Sequence, residues 1–173
     1  MGDCGGLVYK RNCIETFLGV SMSLEVEDIM IKEVVTIDEE ATVKEAVQLM
    51  NKHEIGCLIV MKKRKPSGIL TERDLLRRVL VKSRDPKKTK VSEVMSKPIV
   101  VGKTSMEVEE AVRLMFKMKI KKLPVVEKGR LVGLITLTDL VRFQPQMISI
   151  LKKLSVQELT PKRIKKVVDY YIA

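Results

Sequence analysis

Gly68-Ile69-Leu70-Thr71-Glu72-Arg73-Asp74-Leu75 returns 65 positions later as Gly133-Leu134-Ile135-Thr136-Leu137-Thr138-Asp139-Leu140. The match extends well beyond this stretch. Sliding the chain by 65 lays residues 26–75 over 91–140 without a gap, and 19 of the 50 pairs are identical. Met30 falls on Met95, Ala46-Val47 on Ala111-Val112, Leu49-Met50 on Leu114-Met115, and Leu58 on Leu123. Two copies are too few for a solenoid, so the natural object is a pair related by a pseudo-twofold axis. Such a pair forms matching clefts at its interface, and clefts between units are common ligand sites.

Each copy carries the same order of signals. A short apolar run opens it, Val34–Ile37 in the first and Ile99–Val101 in the second. A helix follows. Thr42 with Glu45 forms a capping box, and Val43, Ala46, Val47 and Met50 make one buried face. In the second copy Thr104 with Glu107 is the expected box, and Val108, Ala111, Val112 and Met115 the face. Two strand-like runs come next, Cys57–Met61 and Gly68–Leu70, or Leu123–Val126 and Leu131–Ile135. The turn between them carries Pro66-Ser67 in one copy and Lys128-Gly129 in the other. A closing helix starts at Thr71 or Thr136. The expectation is an α/β (α+β) protein, two β-α-β-β-α repeats packed about a pseudo-twofold axis with covered sheets. The boundaries are a leader at 1–23, a first repeat at 24–83, a basic linker at 84–90, a second repeat at 91–143, and basic amphipathic helices at 144–173. Met22 is read as an alternative start to Met1.

Composition narrows the class. The 173 residues hold no Trp, three Phe and three Tyr, so the core is aliphatic with ten Met. No apolar run reaches the roughly 18–20 residues that a membrane span needs. Three cysteines, Cys4, Cys13 and Cys57, show no metal-ligand spacing, and their odd number argues against a disulfide framework. The chain reads as cytoplasmic. Its net charge is +11, with +3 on Arg84–Lys90, +4 on residues 144–173 and +4 on Lys62-Lys63-Arg64-Lys65, read as a hairpin turn. Such a balance favours nucleic acid, acidic membrane or small anions. Only six Asn and Gln occur, and a Lys/Glu-rich, amide-poor surface also fits a thermophile.

Enzymatic chemistry finds little support. His53 is the only histidine, and the chain has no phosphate-binding loop and no G-x-S-x-G motif. The duplicated Gly-apolar-apolar-Thr-x-x-Asp has two readings. Thr-x-x-Asp is a capping-box variant that needs no ligand. The same geometry also runs a strand into a helix N-terminus, where backbone N–H groups bind phosphate and hydroxyls of Thr71, Thr136 and Thr138 add donors. An ionised Asp offers two acceptor oxygens, and adjacent ribose hydroxyls are a matching pair of donors.

The chain resembles a tandem pair of cystathionine-β-synthase (CBS) domains, a Bateman module, over residues 24–143. The resemblance rests on Val-Glu-Asp-Ile-Met (26–30) with Val-Ser-Glu-Val-Met (91–95), on Lys-Lys-Leu-Pro-Val-Val (121–126), and on the two Gly-to-Leu stretches at 68–75 and 133–140. It implies two clefts that bind AMP, ADP, ATP or S-adenosylmethionine. Aspartate would take the ribose, Ser/Thr positions the phosphate, and strand residues of both repeats the adenine. One cleft would use Thr71, Arg73 and Asp74, walled by Val100, Val101, Leu123 and Pro124, with Lys122 reaching phosphate. The other would use Thr136, Thr138 and Asp139, walled by Val35, Thr36, Cys57 and Leu58. Lys122 aligns with Cys57 and Arg73 with Thr138, so the clefts should differ in their preference for phosphate charge.

The resulting expectation is a stand-alone sensor, not an enzyme, with no catalytic residue, metal or catalytic cofactor. It would bind an adenosine-containing small molecule, form a homodimer, and signal to an effector protein. The alternative is a nucleic-acid-binding protein using the basic linker and tail, although it lacks the aromatic platforms of single-strand binders. No membrane partner is expected.

Overall fold

The structure, a computed structural model, describes residues 24–143. The readings placed on the leader and on the C-terminal amphipathic segment lie outside the described residues. The first repeat runs α1 (Val26–Ile29), β1 (Thr36–Asp38), α2 (Val43–Lys52), β2 (Cys57–Lys62), β3 (Lys65–Thr71) and α3 (Glu72–Leu75), which continues as a π-helical turn over Leu76–Leu80. The second runs α4 (Val91–Val94), β4 (Gly102–Lys103), α5 (Val108–Lys117), β5 (Lys122–Glu127), β6 (Arg130–Thr136) and α6 (Leu137–Phe143). Each repeat has one three-stranded sheet, ordered β1-β2-β3 or β4-β5-β6. In each the first pair is parallel and the hairpin antiparallel.

The expected architecture is present, with local corrections. The first strands begin later than the apolar runs, because the residues ahead of them cross from one sheet to the other. Ile31 pairs with Leu134 through two hydrogen bonds of 2.9 Å, and Ser96 pairs with Ile69 at 2.8 and 3.1 Å. The turn of the first hairpin is Lys63-Arg64, not Pro66-Ser67. Pro66 lies inside β3, opposite Met61, where the register shifts after Val60. A bulge tolerates the missing N–H of proline. The Thr42–Glu45 box forms, with Thr42 N–H donating to the Glu45 carboxylate at 2.7 Å and Glu45 N–H to Thr42 Oγ1 at 3.2 Å. The first of these hydrogen bonds is the main reason that the Glu45 carboxyl is held below its ordinary pKa. The expected Thr104–Glu107 box does not form. Helix α5 is capped instead by incoming chain, Val108 N–H donating to the carbonyl of Leu24 at 2.9 Å.

That cap belongs to a reciprocal exchange. Val26 and Ile29 of α1 are buried with Val108, Ala111, Val112, Met115, Leu123, Val125 and Ile135, all from the second repeat. Val91, Val94 and Met95 are buried with Val43, Ala46, Met50, Leu58, Val60 and Leu70 of the first. The packed unit is therefore not the sequence repeat. The linker takes part too. The carbonyls of Thr89 and Pro86 accept from Val43 and Lys44 N–H, each at 2.9 Å, and satisfy two free donors at the start of α2. A third cluster, Cys57, Ile59 and Leu134, closes the seam between the two sheets.

Gly68 and Gly133 explain themselves in this frame. A Cβ on Gly68 would meet the Met95 side chain and lie 3.0 Å from the carbonyl of Ser96. A Cβ on Gly133 would collide with Met30 and lie 3.2 Å from the carbonyl of Ile31. Each glycine makes room for the methionine of the exchanged segment, which is why both residue types recur at the same offset. Gly68→Ala and Gly133→Ala should each lower stability by about 1–3 kcal/mol through overpacking. Urea denaturation measures this, and a midpoint unchanged in both variants would show that the segments do not pack against these glycines.

Candidate functional site

The strand β3 delivers Thr71 to the start of α3, and the turn closes on itself. Thr71 Oγ1 donates to Asp74 Oδ2 at 2.6 Å, Thr71 N–H donates to the same oxygen at 3.0 Å, and Asp74 N–H donates to Thr71 Oγ1 at 3.3 Å. The other oxygen, Oδ1, accepts from Ser96 Oγ at 3.0 Å and lies 3.6 Å from the guanidinium of Arg78. Asp74 is 8% exposed, so this carboxylate is held in place rather than solvated. Arg78 is itself anchored, donating to the carbonyls of Val94 and Met95.

Around this turn lies a cavity of about 820 Å³. It brings together four residues that the sequence assigned to one cleft, Thr71, Arg73, Asp74 and Lys122. It is built from both repeats, because Ile120, Lys121 and Lys122 come from the approach to β5 and its first residue. Ser96, Arg77, Arg78 and Lys82 also line it, and none of them was expected. Helical spacing was the available signal for three: Arg77 follows Arg73 by four positions, and Arg78 and Lys82 extend the face of Asp74. Ser96 had a different signal, its alignment with the apolar Ile31 in the other copy.

The electrostatics are one-sided. Arg73, Arg77, Arg78, Lys82, Lys121 and Lys122 face Glu72 and Asp74. Backbone donors contribute less than the helix start suggested. Glu72 N–H already donates to the carbonyl of Gly56 at 3.3 Å, and Asp74 N–H to Thr71. An anion would be met mainly by side-chain cations.

The expected walls need correction. Leu123 is fully buried in the core of the second repeat, together with Val125 and Ile135. Side chains alternate along β5, so Leu123 points at helices and not into the cleft. Pro124 is buried opposite Leu134, and Val100 packs on the second core. Val101 is half-buried just ahead of β4. The walls are instead Ile69, Ser96 and Ile120.

The second copy repeats the turn in leaner form. Thr136 Oγ1 donates to Asp139 Oδ2 at 2.6 Å, and Asp139 N–H to Thr136 Oγ1 at 3.2 Å. The positions of Ser96 and Arg78 are occupied in this copy by Ile31 and Phe143. Thr138 is exposed. Cys57 is a buried thiol in the seam, with no disulfide. Leu58 is fully buried in the first core by the same alternation that removes Leu123, and Val35 packs against that core. Thr36 is exposed on β1 and faces a different cavity at the hairpin ends. His53 ends α2 as its C-cap and is exposed. Among the described residues no group of three or more His, Cys, Asp or Glu could hold a metal ion, and no helix is long and apolar enough to cross a membrane.

The comparisons with known proteins agree with this fold. The CBS domain model matches twice, at residues 26–81 and 91–146. The CBS domain-containing protein YhcV of Bacillus subtilis is 39% identical over 115 residues, which is 66% of this chain and 81% of that protein. Inosine-5'-monophosphate dehydrogenase of Methanocaldococcus jannaschii is 34% identical over 140 residues, but these cover 79% of this chain and only 27% of the enzyme. The solved CBS domain pair of protein MJ0100, in complex with 5'-methylthioadenosine and S-adenosyl-L-methionine, superimposes with a TM-score of 0.63 at 27% identity, covering 70% of this chain and 95% of that one. With both matches in register with the two repeats and together spanning more than half of its length, the chain belongs to the CBS domain family, as a tandem pair.

Proposed function

We infer that the protein is a regulatory module that binds an adenosine-containing ligand between its repeats and passes that state to an effector protein. The observation that carries this reading is the 820 Å³ cavity, which joins Thr71, Arg73 and Asp74 of one repeat to Lys122 of the other. A volume of that size lies in the usual range for small-molecule sites. The MJ0100 complex supports an adenosyl ligand class. AMP, ADP, ATP and S-adenosylmethionine are the candidates, and the cytoplasm is the compartment that supplies them. The chain carries neither a phosphate-binding loop nor a G-x-S-x-G motif, and its match to the dehydrogenase is confined to about a quarter of that enzyme.

In this reading the two clefts divide the work. Asp74 already holds Ser96 and Arg78 on one oxygen, so its cleft contributes cations more than a free ribose acceptor. The aligned positions in the other copy hold Ile31 and Phe143, and among the described residues the Asp139 carboxylate accepts from Thr136. Asp139→Ala should weaken binding by roughly 1.5–3 kcal/mol, the worth of a charge-assisted hydrogen bond in a partly buried site, and Asp74→Ala should weaken it by less. For Asp139→Ala that is about tenfold or more in affinity. A thermal-shift plate with AMP, ADP, ATP, S-adenosylmethionine and an RNA oligonucleotide tests the reading, because a ligand of the folded state raises the melting temperature with dose. No shift with any adenosyl compound, together with salt-sensitive RNA binding, would transfer support to the nucleic-acid alternative.

The cationic cleft should prefer the more highly charged nucleotide. Two cations converging on one polyphosphate add, although each is screened. Arg73→Ala combined with Lys122→Ala should therefore flatten the preference for ATP over AMP, and its salt dependence, at the Asp74 cleft only. Calorimetry across a salt series measures this. An unaltered preference would place the phosphates elsewhere.

The resemblance also implies a homodimer, and one surface supports it. A groove of about 750 Å³ runs between α2 and the α3 extension, lined by Val43, Val47, Leu75, Leu76, Val79 and Leu80. Leu76 is 56% and Leu80 70% exposed, which is unusual for two leucines on one helical face. A second copy seated there would cover them. Light scattering at tens of micromolar should give twice the chain mass for the parent protein and a monomer for Leu76→Asp with Leu80→Asp. A monomeric parent would remove this element of the reading.

A further inference from the structure

The two hairpins end side by side. Strands β3 and β6 pack across the seam, held there by the cluster of Cys57, Ile59 and Leu134. Between the hairpin ends lies a second cavity, of about 590 Å³. It shares no residue with the Asp74 cleft. Six of its twelve lining residues are cations, Lys32, Lys63, Arg64, Lys65, Lys128 and Arg130, and none is acidic.

These charges are not neutralised locally. Lys32 lies 4.0 Å from Glu27, an exposed pair of little strength. Among the described residues, the other five make no ion pair. Some cations elsewhere find partners, Lys62 with Glu39, Lys90 with Glu40 and Arg113 with Glu109, whereas others such as Lys44, Lys97 and Lys117 stand alone among the described residues; what sets the cavity apart is that six cations converge on one concavity. Neighbouring Lys62 even has its pKa raised by its hydrogen bond to Glu39, while the three cations that follow it line the cavity. Gathering like charges in a concavity is unfavourable by itself and becomes favourable with an anion between them.

The turn residues point the same way. A two-residue hairpin turn with both φ values positive favours Asn-Gly, which adopts that backbone without steric cost. The second hairpin follows the rule at one position, with Lys128 at φ 49° and Gly129 at φ 76°. The first uses Lys63 at φ 46° and Arg64 at φ 64°. Two long cationic side chains occupy positions where smaller residues would make the better turn. Stability of the hairpin does not account for that choice, whereas the charge that they bring to the cavity does.

The rest of the lining indicates what would bind. The apolar residues are Val34, Met61, Leu131 and Val132, and none is aromatic. No stacking platform for a base is present, so recognition would act through charge. The charge is gathered in a cavity of limited volume between two turns, not along a stripe, which suits a short anion better than a nucleic-acid strand. We propose that the hairpin ends form a binding site for a short polyphosphate chain, held between the cations of both repeats. The chain is either a free linear polyphosphate or the phosphate tail of a nucleotide. This site does not depend on the adenosine reading of the Asp74 and Asp139 clefts.

The test is calorimetry of the full chain with sodium tripolyphosphate, with ATP and a 20-nucleotide RNA as further arms. Two variants separate the sites. Lys63→Asn with Arg64→Gly removes two cations while installing the preferred turn, so folding should be kept and the melting temperature without ligand should be unchanged or higher. Arg73→Ala with Lys122→Ala strips the other cavity. Tripolyphosphate affinity is expected to fall by about tenfold in the turn variant and to be retained in the cleft variant. It should also fall with added salt. Lys128→Asn, which keeps the second turn, should lower it as well. An ATP signal that is kept in the cleft variant and abolished in the turn variant identifies a nucleotide tail as ligand, and tripolyphosphate binding alone identifies a free chain. Affinity unchanged in the turn variant, no tripolyphosphate binding by the parent, or RNA binding that tripolyphosphate does not displace would each overturn the proposal.

Discussion

The exchange of leading segments is the interaction on which the rest of this structure depends. Val26 and Ile29 leave their own repeat and complete the core of the other, and Val91, Val94 and Met95 do the same in reverse. Neither core is closed without the partner repeat's segment. Each such side chain contributes about 1.5–3 kcal/mol when fully buried. The segments are fixed at their ends by single antiparallel pairs, Ile31 with Leu134 and Ser96 with Ile69. Glycines 68 and 133 are the notches that let those pairs form at close approach. Exchange of this kind makes the two repeats one cooperative body, although each carries its own sheet.

The candidate cleft is a direct consequence. Ser96 reaches Asp74 only because the segment after α4 is pinned to β3. Arg78 is oriented by the carbonyls that end α4. Lys121 and Lys122 arrive from the other repeat because the sheets meet along the Cys57, Ile59 and Leu134 seam. The cleft is thus assembled by the tertiary exchange, and any change in the relative position of the repeats alters the distance between its cations and its carboxylate. A ligand that bridges the repeats therefore acts on the interface that holds them together, which is a physical route from binding to a signal.

Duplication supplied the frame, and divergence at aligned positions supplied the differences. Thr71 with Asp74 and Thr136 with Asp139 make the same local turn. Ser96 against Ile31, Arg78 against Phe143 and Lys122 against Cys57 set the two copies apart. The consequences are large because the positions are fixed while the side chains are not. One copy surrounds its carboxylate with cations and two hydroxyls. Among the described residues, the carboxylate of the other copy has a single hydroxyl partner, Thr136.

Much of this was legible from residues alone, because it rests on local rules. The 65-residue repeat is read directly by sliding the chain on itself, and the helix faces of Val43, Ala46 and Met50 or Val108, Ala111 and Met115, the Thr42–Glu45 box, and the pairing of Thr71 with Asp74 follow from spacing within a few residues. The grouping of Arg73 and Lys122 with them followed from the family resemblance. What only the tertiary structure decided was where each side chain points and which repeat it serves. The family resemblance implied Leu58 and Leu123 as cleft walls, but strand alternation turns them into the cores. The capping of α5 by the carbonyl of Leu24, the placing of Pro66 in a bulge, and the meeting of Lys63, Arg64, Lys128 and Arg130 between two turns involve residues far apart along the chain. Periodicity carries information over one or two helical turns. The burial and charge that make a site are set by packing between segments that no periodicity links.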